Sequence, residues 1–478
     1  MKKLVFVKKA ETLLSQSREI ISSCSKVLGQ FRPQKKDDDS FENSGVSRNS
    51  TNNFVPVCFK GQVSTDTIMK HRCAIALFCN VMLILSFSPC LHAGDGSRTL
   101  LVHYMPWYSS KSVSGRWGWH WTMDHFNPDR VRSNGQREVA SHDYPLIDLY
   151  DSNDPHALEC HVLLMKFAGI EGAVIDWYGR EDFRDYAAIH RNTQHLIKYI
   201  KMAGLQFAIC YEDQTVKHML EGRFLQKQGD VAHGKQVLKW LDDNWFGDDA
   251  YVKIDGRPVL LVFGPQYFKQ EQWHHIMSGL FQRPFLYGLP HLWRKAGADG
   301  AFGWPPVTGG REVVSDVWRK YLRTFYARGT EEAIIAVAFP AFHDIYKEAG
   351  VHDSFGYIDD QEGKTFAESL ALAWKSNSRL IQLATWNDYG EGTVIEPTKT
   401  FGYQYLQVVQ QYAKTRSKVA MPFGPDDLRL PVMLYELKKR HVQNSVVMKD
   451  LEKATTLLFW YKCDEARIIL ETYMAKGG

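Results

Sequence analysis

Across 478 residues the chain has no Cys-x-x-Cys, no H-E-x-x-H, no Gly-rich phosphate loop and no G-x-S-x-G. A closed zinc ligand set, a Walker site, a dinucleotide fingerprint and a serine-hydrolase elbow therefore have no local signature here. Neither a metal nor a cofactor is implied. Eight cysteines scattered over this length are too few for a disulfide framework. No basic stripe accompanies the formal charge of +4, so nucleic acid is not an expected partner. Uninterrupted apolar runs fall short of the ~20 residues needed to cross a bilayer.

One absence is local. Residues 1–93 contain neither Trp nor Tyr, so all 14 Trp and 22 Tyr lie downstream. Within that stretch Met69-Lys70-His71-Arg72 is a basic start, Cys73 to Phe87 is apolar and nearly uncharged, and Leu91-His92-Ala93 ends in a small residue. That is the order of a secretory signal peptide, with Leu91 larger than usual at the third position before the cut. The expected division is an extension over 1–68, disordered or outside the true reading frame, and a signal peptide over 69–93 with translation from Met69. A catalytic domain over 97–420 and a helical extension over 421–478 follow. The mature chain is then secreted or periplasmic, without a stable membrane span, and monomeric. The 13 Lys+Arg and 7 Asp+Glu of residues 1–93 carry the basicity, and the remainder holds 45 and 47. Such a near-neutral, aromatic-rich chain suits an uncharged ligand.

From Thr99 onward, short apolar runs alternate with amphipathic stretches. Strands are expected at 99–108, 172–179, 206–214, 257–265, 284–291, 300–306, 334–344 and 380–393. Asp154-Pro155 opens the first crossover helix as N-cap and first-turn proline. Eight strand–helix alternations predict an α/β fold, a (β/α)8 TIM barrel, with a C-terminal helical appendage from Leu428 to Met474. An open doubly wound sheet would normally carry a phosphate turn after its first strand, where Met105-Pro106-Trp107-Tyr108 stands instead.

In such barrels the chemistry sits at the C-terminal strand ends. Those ends carry His103, Tyr104 and Trp107; Asp176, Trp177 and Tyr178; Tyr211, Glu212 and Asp213; His291; Trp304; His343 and Asp344; and Trp386, Asn387, Asp388 and Glu391. Tyr104, Trp107, Asp176, Trp177, Tyr211, Glu212, His291, Trp304, Trp386 and Asn387 are the candidate binding residues. Aromatic faces pack on the C–H faces of sugars and carboxylates accept hydroxyl hydrogen bonds, so an oligo- or polysaccharide is the substrate class to test. Any one of these aromatics, taken alone, is more often core or rim packing, and D-x-x-E, from spacing alone, more often a helix N-terminus. A carboxylate beside an apolar strand, by contrast, must have a partner or a function. Asp388 and Glu391, three apart on a turn leaving the eighth strand, can face one cleft as the acid and base of glycosidic cleavage.

HYMPWY, AGIEGAVIDWYG, YVKIDGRPVLLVF and TWNDYGEGTVIEP, in this order, resemble the glycoside hydrolase family 71 and family 99 group over about residues 99–415. Trp386 to Glu391 is similar to family 71, the α-1,3-glucanases. Gly392 to Pro397 and IDWYG are similar to family 99, the endo-acting α-mannosidases and α-mannanases. The resemblance implies Glu391 as general acid and Asp388 as base, with Glu212 near a substrate-binding Glu. In family 99 the base is a Glu that deprotonates the sugar's own 2-hydroxyl, giving retention through a 1,2-anhydro sugar; in family 71 it is an Asp that activates water, with inversion. Asp388 is one methylene shorter than the former, so the stereochemical outcome stays open. The function implied is an endo-acting α-glycosidase on an α-mannan or α-glucan. A carbohydrate-binding barrel that has lost catalysis is the alternative.

Overall fold

The computed structural model describes residues 98–329, 333–416 and 421–475. The expected extension over 1–68 and signal peptide over 69–93 lie outside the described residues. Eight strands form the barrel: β1 Thr99–Tyr104, β2 Gly172–Trp177, β3 Gln206–Tyr211, β4 Arg257–Val262, β5 Phe285–Gly288, β6 Gly300–Phe302, β7 Ile334–Ala338 and β8 Leu380–Leu383. Each pairs in parallel with its sequence neighbours, and β8 pairs with β1 to close the ring. This is the (β/α)8 architecture the alternation predicts. The strands are almost wholly buried because helices cover their outer face and side chains fill the interior.

The strands are shorter than their apolar runs. The seventh stops at Ala338, and Phe342–His343 then pairs antiparallel with Gly356–Ile358 in a small sheet outside the barrel. The eighth stops at Leu383, and residues 384–397 form loop and turns. Hydrophobicity continues past both ends because those loops are themselves buried.

The crossover helices are α1 Pro155–Ala168, α2 Tyr186–Met202, α3 Asp230–Leu241, α4 Gln270–Met277, α5 Ser315–Tyr326, α6 Lys364–Lys375 and α7 Gln404–Arg416. The Asp154 side chain accepts from the His156 N–H, and Gly169 ends α1 in the left-handed conformation. The appendage is three helices, α8 Leu430–Arg440, α9 Ser445–Phe459 and α10 Cys463–Ala475. Charge fixes it to α1. The Lys438 ammonium, buried, lies 2.9 and 3.1 Å from the two Glu159 oxygens, and Lys166 donates to the carbonyls of Ala203 and Phe459. Among the described residues no helix is long and apolar enough to cross a membrane.

Candidate active site

Strand alternation decides which side chains reach the barrel mouth, since successive residues face opposite sides of the sheet. On β1, His103 points inward, its Nδ1 3.1 Å from Gln382 Oε1 of β8. Tyr104 therefore points outward and bonds His161 of α1 at 2.9 Å. On β2, Asp176 is inward. Trp177 stacks outward against Trp240 of α3, and its indole donates to His190 of α2. On β3, Cys210 is inward, and Tyr211 packs on Trp177. Trp386 likewise faces His161 on the helix side. Of the expected glycan contacts, Tyr104, Trp177 and Tyr211 are turned by the pleat into the layer between strands and helices, and Trp386, on the loop past the end of β8, packs on His161 in that same layer. His291 is exposed on the turn after β5, with no hydrogen bond or ion pair among the described residues.

At the mouth, four carboxylates are grouped. Asp176 is the penultimate residue of β2, Glu212 follows β3, and Asp388 and Glu391 lie on the loop after β8. All are buried. Asp176 and Glu212 share a hydrogen bond; burial, with the other's charge, raises Asp176 well above the usual carboxylate range. Burial raises Glu212 too, although Gln214 and Asp176 hydrogen bonds pull it back.

The loop bearing the pair is a turn rather than a helix. Asp388 Oδ1 accepts the Glu391 N–H at 3.0 Å, and the Thr385 hydroxyl accepts the Asp388 N–H at 2.8 Å. Gly392 sits at φ 65°, where a Cβ would stand 2.6 Å from the His343 carbonyl oxygen, so glycine is required. Trp304 donates its indole N–H to Glu391 Oε2 at 3.2 Å. Burial pushes Asp388 up to about 6, against the N–H groups of Glu391 and Gly390. Burial first and the Asp388 charge second push Glu391 well above its ordinary value, Trp304 opposing. One carboxyl is thus set to be ionised while its neighbour keeps a proton.

Asn387 does not line the cleft. Its amide nitrogen donates to the Met105 carbonyl and the Tyr150 hydroxyl, while Oδ1 accepts the Met105 N–H, so it ties the β8 loop to the β1 loop. Glu396 holds the loop's far end. It accepts from the Tyr389 and Tyr150 hydroxyls, with His161 Nε2 3.3 Å away. Burial raises Glu396 to about 8 and lowers His161 to about 3, so both are uncharged near neutrality. Because the folded value exceeds the ordinary 4.5, this group's contribution to stability falls as pH rises between about 4.5 and 8. Glu396→Gln is expected to remove that part of the slope, measured by urea unfolding across this pH window. Glu396→Ala strands both tyrosines and is expected to cost ~3 kcal/mol.

Aromatics flank the carboxylates. Trp107, half-buried, stacks on His120 at 4.2 Å and packs against Tyr178. Trp304 meets His103 and Phe263 edge-on. Tyr178 and Tyr346 feel the carboxylate charges directly. Tyr178 follows from alternation, two residues past Asp176. Tyr346 comes from the β7 excursion, and no strand pattern signals it. A separate cavity of about 750 Å³ between the β1 loop and α8, lined by Trp117, Tyr150 and Tyr435 among charged residues, contains none of the four carboxylates. The carboxylate grouping, not cavity volume, marks the site.

Residues 299–423 match a family described only as a domain of unknown function, DUF5010. The chain is 22% identical over 371 residues to the glycoprotein endo-alpha-1,2-mannosidase of Mus musculus, covering 68% of this chain and 77% of that protein. The Rattus norvegicus protein of the same name is 22% identical over 368 residues, at 68% and 76% coverage. In fold the chain is similar to the GH99 endo-alpha-mannosidase of Bacteroides thetaiotaomicron, with TM-score 0.50 and 18% identity, over 67% of this chain and 97% of that one.

Proposed function

We propose that this chain, GH99-like in sequence and fold, is a glycoside hydrolase that cuts internal α-mannosidic bonds of a mannan-type glycan. The observation that carries the reading is the Asp388–Glu391 pair at the C-terminal end of β8, with Asp388 held by the Glu391 N–H and Glu391 by the Trp304 indole. The similarity to endo-alpha-1,2-mannosidases supports the sugar and the internal position of the cut, and the pairing of the two carboxyls supports their reading as acid and base.

Glu391, kept protonated by burial and by its neighbour's charge, delivers its proton to the glycosidic oxygen as the bond breaks. Asp388, ionised, takes a proton either from the sugar's 2-hydroxyl or from a water on the opposite face. The Trp304 N–H orients Glu391 Oε2, which leaves Oε1 for the leaving oxygen. Glu212 and Asp176 lie within electrostatic reach of the pair and offer acceptors for sugar hydroxyls. Trp107 and Tyr178 supply stacking faces. The signal-peptide-like order of residues 69–93 in the sequence supports export of the mature chain.

The activity is tested by incubating the purified chain with α-mannans and α-1,3-glucans and following oligosaccharide release. Release from α-mannan is expected; binding without release favours the inactive carbohydrate-binding barrel. The pH profile of kcat/KM is expected to be a bell. Its acid limb lies near pH 6, where Asp388 ionises, and it falls at higher pH as Glu391 loses its proton. An acid limb near pH 4 would contradict the assignment of Asp388.

A further inference from the structure

Three adjacent strands bring His103 and Cys210 together with Asp176, one of the four carboxylates, on the inner face of the barrel. One ring nitrogen, one carboxylate oxygen and the thiol sulfur all lie within 4.8 Å of one another, and the three residues are buried. The register makes this a consequence of the sheet: Asp176 and Cys210 are Cα partners across β2 and β3, and His103 is across from Val174, two residues before Asp176.

The hydrogen bonds around His103 assign its tautomer. Gln382 donates from Nε2 to the Gly303 carbonyl at 3.1 Å, which turns its Oε1 toward His103 Nδ1, also at 3.1 Å. A carbonyl oxygen only accepts, so the ring proton sits on Nδ1. His103 Nε2 is then a bare lone pair, fully buried, with no hydrogen-bond partner. An orphaned buried acceptor is costly, and a metal-bound histidine usually donates its other nitrogen to an oxygen in this way.

We infer that His103 Nε2, Cys210 Sγ and the Asp176 carboxylate form a binding site for a divalent transition metal of zinc type. A thiolate, an imidazole and a carboxylate are zinc donors, and three protein ligands leave a fourth position for water or a substrate oxygen. A thiolate and a carboxylate cancel the +2 charge, which meets the requirement that a buried ion be neutralised. Binding releases two protons, the Cys210 thiol proton to solvent and the proton Asp176 shares with Glu212, so that Asp176 ligates as the carboxylate. Asp176 Oδ1 already accepts the Trp177 N–H at 3.1 Å, which fixes the group, and its remaining lone pairs are enough for a ligand bond. The three ligands are 73 and 34 residues apart in the chain, so no short spacing announces them. The site shares Asp176 with the proposed glycan cleft, but metal binding is read without any glycosidase activity.

The test is titration of the chelator-treated full chain with Co²⁺ as a spectroscopic stand-in, followed by displacement with Zn²⁺. One equivalent should bind with a thiolate-to-cobalt charge-transfer band, and Zn²⁺ should bleach it. Cys210→Ser should abolish the band and weaken Zn²⁺ at least 100-fold, with the far-UV circular dichroism and melting of the metal-free protein unchanged. Cys210→Ala serves if the serine variant does not fold. Gln382→Leu should weaken Zn²⁺ by about 10- to 100-fold through loss of orientation. Binding of less than a tenth of an equivalent by the wild type overturns the site. So does a band that survives loss of Cys210 and follows Cys160 or Cys463.

Discussion

Glu391→Gln is expected to lower kcat on an α-mannan by about 10³-fold while leaving glycan affinity within a few-fold, because only proton delivery is lost. The amide keeps the shape of the carboxyl, and its oxygen still accepts the Trp304 indole N–H. The position of Glu391 is held from the backbone: its carbonyl accepts the His343 N–H and its own N–H is bound by Asp388. Substrates with a good leaving group need little protonation and should recover most of the rate. A variant equally slow on activated and natural substrates would show that Glu391 does something other than protonate the leaving oxygen. Single-turnover kinetics on both substrates separate the two.

The second large effect belongs to Asp388. Asp388→Asn removes the base but retains an acceptor for the Glu391 N–H, so the turn is expected to stand. A loss of about 10²- to 10⁴-fold in kcat follows if the residue takes up a proton in the transition state. Here an activated leaving group should give little recovery, since the missing step lies on the other face of the sugar. The configuration of the first-formed product, read by proton NMR, distinguishes the 2-hydroxyl route, which retains, from water activation, which inverts. Asp388→Glu adds the methylene by which this chain differs from the family 99 pattern, and any change of outcome in that variant measures what the shorter side chain sets.

The barrel was legible because parallel buried strands read as continuous apolar runs, and the pair because it stands on a turn with Gly392 and the TVIEP segment behind it. Asp154-Pro155 marked α1 by capping chemistry alone. What the runs concealed was the pleat. Tyr104 follows His103 and Trp177 follows Asp176, and adjacent residues on a strand cannot both face one cleft; composition at a strand end names candidates for the mouth without choosing a side. Asn387 looked like a ligand contact because an amide reads the same whether it meets a sugar or a backbone, and here Met105 and Tyr150 engage it. Tyr346 and the His103–Asp176–Cys210 cluster were invisible for another reason. The cluster depends on the register between β1, β2 and β3, and Tyr346 on the path of the loop after β7, and neither is a property of one local segment.

Incubation of the purified chain with an α-mannan, with new reducing ends counted for the wild type, Asp388→Asn and Glu391→Gln, tests the central claim most directly. The wild type is expected to generate oligosaccharides, and both variants to bind the same glycan yet form new reducing ends at least 100-fold more slowly. A wild type that binds α-mannan and α-1,3-glucan but produces no new reducing ends, or a variant pair as active as the wild type, would contradict it.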